Sequence, residues 1–491
     1  MKKQHIATGS GRGSHRGRQP TAMMDAMSSP GASHLVLHRA SIVLLVSFLI
    51  ASSCTARDDD RTASLAGKPN ILLIVTDDQR EMPLAPVMPR TEGWFASQGT
   101  AFTRAFATTP RCCPARVSFL TGLYAHNHGI YGEDVLASEL AAVEPLMIQR
   151  RLQEAGYRTG LFGKYLNNWP NERNPANFDG WATTPLVEYS GAEWNVGGTT
   201  RVVAENSTTF IGDMSLAFVE AADADDEVPW FLHVGFMAPH LPSDVEGRYE
   251  DVPVPPLRLS PAMTERDRRD KPPFVAERRL RTTSQIRSKR DRQLRSLVAV
   301  DDQIDRLMTR LESLGELENT IAVFISDNGF QWGEHALFGK SVPYLGSVRV
   351  PLYLRWPGHL TPGAVDDRLV GGIDLAPTLL AAADLEPVVA PDGIDLLDEG
   401  ASRSRLLLEF RELPRGPTPT WRAFVTRSFQ YIEYLDRTGR VDFREYYRLR
   451  TDPEQLVNVL RDGRPGNDPD VVALSRMLRR LQDCAGTTCP G

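Results

Sequence analysis

Five apolar runs, each ending in polar or charged residues or in a turn, constrain this chain more than any other feature of its sequence. They are Asn70–Asp78 (NILLIVTDD), Arg158–Lys164 (RTGLFGK), Pro229–His240 (PWFLHVGFMAPH), Thr320–Gly329 (TIAVFISDNG) and Val350–Gly358 (VPLYLRWPG). Short apolar runs of this kind read as strands, and near-continuous apolar character marks strands covered on both faces. Between them, EPLMIQRRLQEAGY and LVAVDDQIDRLMTRLESLG place apolar residues at helical spacing and stop near glycine, as helices often do. Strands alternating with helices predict an α/β fold, with βαβ units around a mostly parallel sheet flanked by helices. In such sheets ligands bind beyond the carboxyl ends of the strands. Four of those ends carry Asp77 and Asp78, Lys164, His240, and Asp327 and Asn328, so the chemistry is expected along one edge.

With 491 residues, 41% of them apolar, the chain can bury a large α/β domain and a smaller second one. From about Thr418, aromatic and β-branched residues broken by DRTG predict a small antiparallel sheet, closed by an amphipathic helix over Val471–Gln482. The expected division is an N-terminal extension with a signal peptide (1–53), a linker (54–68), the main domain (69–415) and a C-terminal α+β subdomain (416–491). The formal charge of −6 gives no reason to expect nucleic acid as a partner. One segment departs from this balance: Glu265–Arg292 carries eleven Lys/Arg against five Asp/Glu. It is expected to be a solvated helix or mobile loop, with polyanion steering as the alternative.

The run Ala40–Ile50 is short for a membrane span and has the flanks of a secretory signal. Ala51-Ser52-Ser53 before Cys54 resembles a bacterial lipoprotein cleavage box, although such boxes usually have Leu where Ala51 stands. The chain is therefore expected to be exported to the periplasm or cell surface. Cys54 is the lipid-anchoring candidate, with ordinary signal cleavage as the alternative. Export permits disulfides, and Cys484 and Cys489 could close a small C-terminal loop. Cys112 and Cys113 remain, adjacent to each other. A vicinal disulfide between them is disfavoured because its small ring strains the peptide bond.

The carboxylates of Asp77, Asp78 and Asp327 with the amide oxygen of Asn328 form a hard-oxygen set, suited to Ca²⁺ or Mg²⁺ and lacking the His/Cys spacing of zinc sites. Beside it, Cys112-Cys113-Pro114-Ala115-Arg116, running on to Leu120-Thr121-Gly122, resembles the C-x-P-x-R signature of type I sulfatases. GYRTGLFGKYL (Gly156–Leu166) resembles the second signature of that family. TDDQ, APH and SDNG…GK follow in the family's order, so the resemblance spans about Asn70–Leu460. The CCPxR form, GKYLNNW and the terminal CxxxxC are most similar to N-acetylglucosamine-6-sulfatases and heparan 6-O-endosulfatases.

The resemblance implies an alkaline-phosphatase-like fold and sulfate monoester hydrolysis, on amino sugars or sulfated glycans. It implies that Cys112 is oxidised to formylglycine (3-oxoalanine) by a formylglycine-generating enzyme and that it joins Asp77, Asp78, Asp327 and Asn328 at a divalent cation. An ordinary hydroxyl nucleophile would leave a sulfate ester as hard to cleave as the substrate; an aldehyde hydrate can attack with one hydroxyl and expel sulfate by collapse of the other. By the same resemblance Arg116 would hold the hydrate, Lys164 and Lys340 would neutralise sulfate oxygens, and His240 would contact sulfate and protonate the leaving alcohol. Leu166 stands where many sulfatases carry His, which leaves the regenerating base open among Asn167, His126, His128, His335 and water. Leu345 stands where relatives often have Glu. Two other functions fit the same residues: a phosphonate or phosphate ester hydrolase of the same superfamily, and a sulfated-glycan-binding lipoprotein without turnover.

Overall fold

The computed structural model describes residues 67–489 apart from 134–136, 186, 225–226 and 414–415. The expected signal segment, Cys54 and nearly all of the 54–68 linker lie outside the described residues. Ten strands form the main sheet: β1 (Asn70–Thr76), β2 (Thr100–Phe102), β3 (Arg158–Gly163), β4 (Gly180–Thr183), β5 (Ala192–Val196), β6 (Thr199–Val203), β7 (Trp230–Gly235), β8 (Thr320–Ser326), β9 (Leu352–Arg355) and β10 (Ala364–Asp366). Their order across the sheet is β10-β2-β9-β8-β1-β7-β3-β4-β5-β6. The central five, β8-β1-β7-β3-β4, run parallel. At either flank the direction reverses, with β9 antiparallel to β8 and β5 antiparallel to β4.

The reversal at β9 follows from its connection. A parallel return needs a crossover, usually a helix, whereas 327–351 is spent on loops, a short antiparallel hairpin (Gln331–Trp332 with Phe338–Gly339), a 3-10 turn at Glu334–Ala336 and one four-residue helical turn, Leu345–Val348. That connection lies at the carboxyl end of β8 and carries much of the site.

Five helices cover the sheet: α1 (Cys112–Thr121), α2 (Ile148–Glu154), α3 (Ser207–Asp223), α4 (Thr283–Leu314) and α5 (Leu375–Ala382). All seven residues of β1 are buried, and its alternation divides them between two cores. Ile71, Leu73 and Val75 join Val117 and Leu120 of α1, Leu152 of α2 and Leu379 of α5. Leu72 and Ile74 join Ile211 of α3 and Leu297 and Leu307 of α4. The result is a three-layer α/β/α sandwich, and β1 is apolar from Ile71 to Val75 because neither face meets water.

The basic segment Glu265–Arg292 is neither wholly solvated nor detached. Arg268, Lys271 and Val275 are buried, and its last residues form the first turns of α4, which opens on a capping box between Thr282 and Gln285.

The C-terminal sheet is an antiparallel meander of β11 (Leu406–Phe410), β12 (Trp421–Val425), β13 (Gln430–Leu435) and β14 (Val441–Tyr447). It shares a core with α6 (Val471–Gln482) through Leu478 and Leu481. Its first strand precedes Thr418, where sequence places the start of the sheet, because the Pro-rich link RELPRGPTPT separates LLLEF from its partners. A disulfide joins Cys484 to Cys489 just after α6.

Candidate active site

Three chain segments meet at the carboxyl edge of β1 and β8. Asp77 and Asp78 follow β1, and Asp78 adopts a left-handed φ of 71°, a conformation that Asp tolerates better than most residues. Asp327 and Asn328 follow β8. The Asp327 N–H donates to the Thr76 carbonyl (3.1 Å), and the Asp78 N–H donates to Asp327 Oδ1 (3.1 Å). Cys112 arrives on the first turn of α1, a fully buried helix closed by Gly122 at φ 74°. The positive end of the helix dipole therefore faces the same point, which favours an anion there.

One ligand atom from each of Asp77, Asp78, Cys112 and Asp327 lies within 4.8 Å of the others, and all four residues are buried. Asn328 Nδ2 donates to Asp78 Oδ1 (2.6 Å), while Asn328 Oδ1 is buried with no hydrogen-bond partner. An unpartnered buried amide oxygen beside three carboxylates is costly unless a cation accepts it. The residues present therefore fit a hard divalent ion.

Cations bracket the carboxylates. Lys164 Nζ pairs with Asp77 Oδ2. Lys340 Nζ lies 2.6 Å from both Asp78 Oδ1 and Cys112 Sγ. Arg116, wholly buried, donates from Nε to Asp327 Oδ2 (2.9 Å) and from Nη1 to the Lys164 carbonyl (2.6 Å), and its Nη2 is left without a partner. Burial alone would raise the Asp77 carboxyl, but Lys164, His240, Lys340 and Arg116 together hold it well below the usual carboxylate range. Burial and the Asp77 charge push the Cys112 thiol well above its ordinary value.

His240 stands on the open side, about a quarter exposed, with Nε2 3.8 Å from Asp78 Oδ2. Its Nδ1 lies 2.6 Å from the Leu241 carbonyl. A carbonyl can only accept, so Nδ1 carries a hydrogen and Nε2 faces the site.

All the residues read from sequence as ligands or catalytic groups, Asp77, Asp78, Cys112, Arg116, Lys164, His240, Asp327, Asn328 and Lys340, are thus drawn together. Cys112 and Cys113 are both free thiols. Cys113 is turned away, accepting the Asn167 N–H (3.0 Å), and burial pushes its thiol up to about 12.

The candidate bases divide differently. His128 is sealed against Ser118 Oγ (3.1 Å), and burial lowers it to about 3. His126 bonds Glu409 (3.0 Å) and His335 bonds Glu265 (2.6 Å). Leu345 has its N–H held by Gln455 Oε1 (2.7 Å) and lines a separate cavity of about 760 Å³.

Sequence reasoning missed Arg111 and Arg278, which line a cavity of about 160 Å³ together with Lys340. Arg111 could have been found, since it directly precedes Cys112. Arg278 belongs to the basic segment Glu265–Arg292 already singled out, but nothing in sequence placed it, 62 residues before Lys340, beside that lysine.

Comparisons with known proteins agree with this geometry. The family model described as Sulfatase matches residues 69–385, and one described as N-sulphoglucosamine sulphohydrolase, C-terminal, matches 333–483. An extracellular sulfatase SULF-1 homolog of Drosophila melanogaster is 32% identical over 70% of this chain, which spans 32% of that protein's length. Human N-acetylglucosamine-6-sulfatase is 29% identical, with 86% of each chain covered. Among solved structures, a protein described as in complex with its substrate D-glucosamine-2-N,6-O-disulfate shares the fold at TM-score 0.68 and 22% identity, covering 84% of this chain and 97% of the other. A phosphonate monoester hydrolase from Silicibacter pomeroyi is also close in fold, at TM-score 0.66 and 22% identity, covering 86% of this chain and 96% of the other. With the Sulfatase model spanning most of the chain, and with its cysteine, carboxylate and lysine segments meeting at one point, this protein belongs to the sulfatase family.

Proposed function

We propose that this protein hydrolyses sulfate monoesters of amino sugars or sulfated glycans, using Cys112 after its conversion to formylglycine by a maturation enzyme. The observation that carries this is the buried cluster of Asp77, Asp78, Cys112 and Asp327, with the unpartnered Asn328 oxygen beside it. Asp77, Asp78, Asp327 and Asn328 would hold Ca²⁺ or Mg²⁺, which supplies acidification of the nucleophile and polarisation of a sulfate oxygen.

The remaining roles fall to the chain itself. Three buried carboxylates are matched by three full cations, Lys164, Lys340 and Arg116. A divalent ion would then leave a surplus of two positive charges, which suits an anionic ester and disfavours a neutral one. Arg116 fixes Asp327 and the Lys164 backbone, so it holds the cluster in register. Lys340 lies against Cys112 and lines the cavity, where it can meet a sulfate oxygen. His240, on the open side with Nε2 inward, can give its proton to the departing alcohol when that nitrogen is protonated.

Export to the periplasm or cell surface completes the proposal, with Cys54 as the candidate lipid anchor. Two relatives are described as extracellular sulfatases. Among the described residues, no helix is long and apolar enough to cross a membrane.

The test is hydrolysis of matched aryl sulfate, phosphate and phosphonate esters by protein whose Cys112 conversion has been verified by mass, followed by a panel of 6-sulfated glucosamines. A clear preference for sulfate is expected. A phosphonate monoester hydrolase shares the fold, and faster phosphonate cleavage would establish that function instead. Binding of sulfated glycans by fully converted protein, without turnover of any ester, would leave only the binding-protein function.

A further inference from the structure

The cavity beside the cluster presents three cations, Arg111, Arg278 and Lys340, and no acidic side chain among its described lining residues. Two of the three are already engaged. Lys340 pairs with Asp78 (2.6 Å). Arg111 pairs with Glu133 Oε2 (2.9 Å) and donates to Ser341 Oγ (3.2 Å).

Arg278 differs from both. It is half-buried, its Nε donates to the Phe274 carbonyl (3.0 Å), and no carboxylate among the described residues pairs with it. Among the described residues its two terminal nitrogens have no acceptor. Burial and the neighbouring Arg281 both push the guanidinium below its ordinary value, and no carboxylate among the described residues offsets that charge.

The position of Arg278 is nonetheless fixed. The Arg278 carbonyl accepts from Arg268 Nη2 (2.6 Å), and Arg268, itself buried, also donates to the Glu265 carbonyl. Glu265 in turn holds His335 (2.6 Å), on the same loop as Lys340. Arg278 is therefore braced against the segment that presents Lys340 instead of swinging on a free loop. An unpaired guanidinium with a fixed stem is a fork for a planar or tetrahedral oxyanion. Phe338 and Phe410 also line the cavity.

We propose that Arg278 forms a second anion subsite, which reads an additional sulfate or carboxylate on the glycan that carries the scissile ester. The proposal rests on the sulfate-ester function of the neighbouring cluster. It names the substrate class more narrowly, as a sugar with at least two anionic groups. Part of the basic segment Glu265–Arg292 thereby acquires a role in recognition, at a fixed point in the pocket.

The test uses full-length protein carrying Cys112→Ala, loaded with Ca²⁺, so that intact ligands can be titrated by calorimetry. Three probes are compared: N-acetylglucosamine 6-sulfate, N-sulfoglucosamine 6-sulfate, and a disaccharide in which uronic acid adjoins N-acetylglucosamine 6-sulfate. At least one doubly charged probe is expected to bind about tenfold or more tightly than the singly charged one. Which of the two gains identifies the second anion as sulfate or carboxylate. Adding Arg278→Gln should reduce that preference to near unity, and Arg278→Lys should keep part of it.

Equal affinity for all three probes would overturn the proposal. So would a preference that survives Arg278→Gln, or a loss spread evenly over all three probes, which marks a structural role. Failure of the mature wild-type protein to cleave any sulfate ester would refute the hydrolase function separately, and the binding ratio would still decide the subsite.

Discussion

Lys340 offers the sharpest test of the electrostatics. Its ammonium lies 2.6 Å from Asp78 Oδ1, 2.6 Å from Cys112 Sγ and 3.9 Å from Asp77 Oδ1, with only 11% of the side chain exposed. Replacing it with alanine removes an oriented full charge from a buried pocket. In comparable sites the loss of one such donor costs about 2.7–4 kcal/mol of transition-state stabilisation, or about 10²–10³-fold in kcat. A second effect acts on stability, because removing one partner of a buried ion pair costs about 3–5 kcal/mol. Asp78 keeps its Asn328 hydrogen bond (2.6 Å), and bound Ca²⁺ would offset its charge further. The stability loss should therefore be large in chelator and small in saturating Ca²⁺, while the rate loss persists. The assay is kcat/KM for an aryl sulfate, with Cys112 conversion verified by mass, alongside Tm with and without Ca²⁺. A Lys340→Ala protein within threefold of wild type in kcat/KM would refute the reasoning.

Three further outcomes follow from single contacts. Asn328→Leu removes the unpartnered amide oxygen, and Ca²⁺ affinity measured by calorimetry should fall at least about tenfold; unchanged affinity would exclude Asn328 as a ligand. Arg403 forms a two-pronged buried pair with Asp374 (2.6 and 3.0 Å), so Arg403→Met should lose about 3–5 kcal/mol of unfolding free energy in urea, and a loss below about 1 kcal/mol would contradict the pairing. His126 is opposed by its burial, but the Glu409 hydrogen bond overcomes this and raises it above its ordinary value of about 6.5. Its stabilising contribution is therefore full below that value and fades as pH rises through the folded value. His126→Gln should flatten the pH dependence of stability across that interval, and an unaltered slope would contradict the assignment.

The central strands were legible because β1 and β8 each carry an unbroken apolar run of five residues and then, one residue on, reach Asp-Asp and Asp-Asn, a pattern that fixes both the strand and the edge its ligands occupy. Cys112 and Arg116 were legible through their spacing within one helical turn, which local geometry preserves. The direction of β9 was not, since its apolar run is the same whether the strand lies parallel or antiparallel, and only the absence of a crossover helix decides it. Arg278 was hidden for a different reason. Its role depends on Arg268 and Glu265 folding a basic segment against the Lys340 loop, and a contact between distant segments leaves no local signature. The unpartnered Oδ1 of Asn328 was equally invisible, because sequence names the amide but not which of its two atoms the Asp78 carboxylate engages.

The most direct measurement is the mass of the peptide spanning residues 110–117, taken with the turnover of an aryl sulfate by the same preparation. In cells that contain the maturation enzyme, Cys112 should lose H₂S and gain one oxygen, and turnover per molecule should rise in proportion to the converted fraction. Cys112→Ala protein, or protein in which Cys112 remains wholly a thiol, should be inactive yet folded. Turnover that is independent of the converted fraction, or retained by Cys112→Ala, would contradict the account.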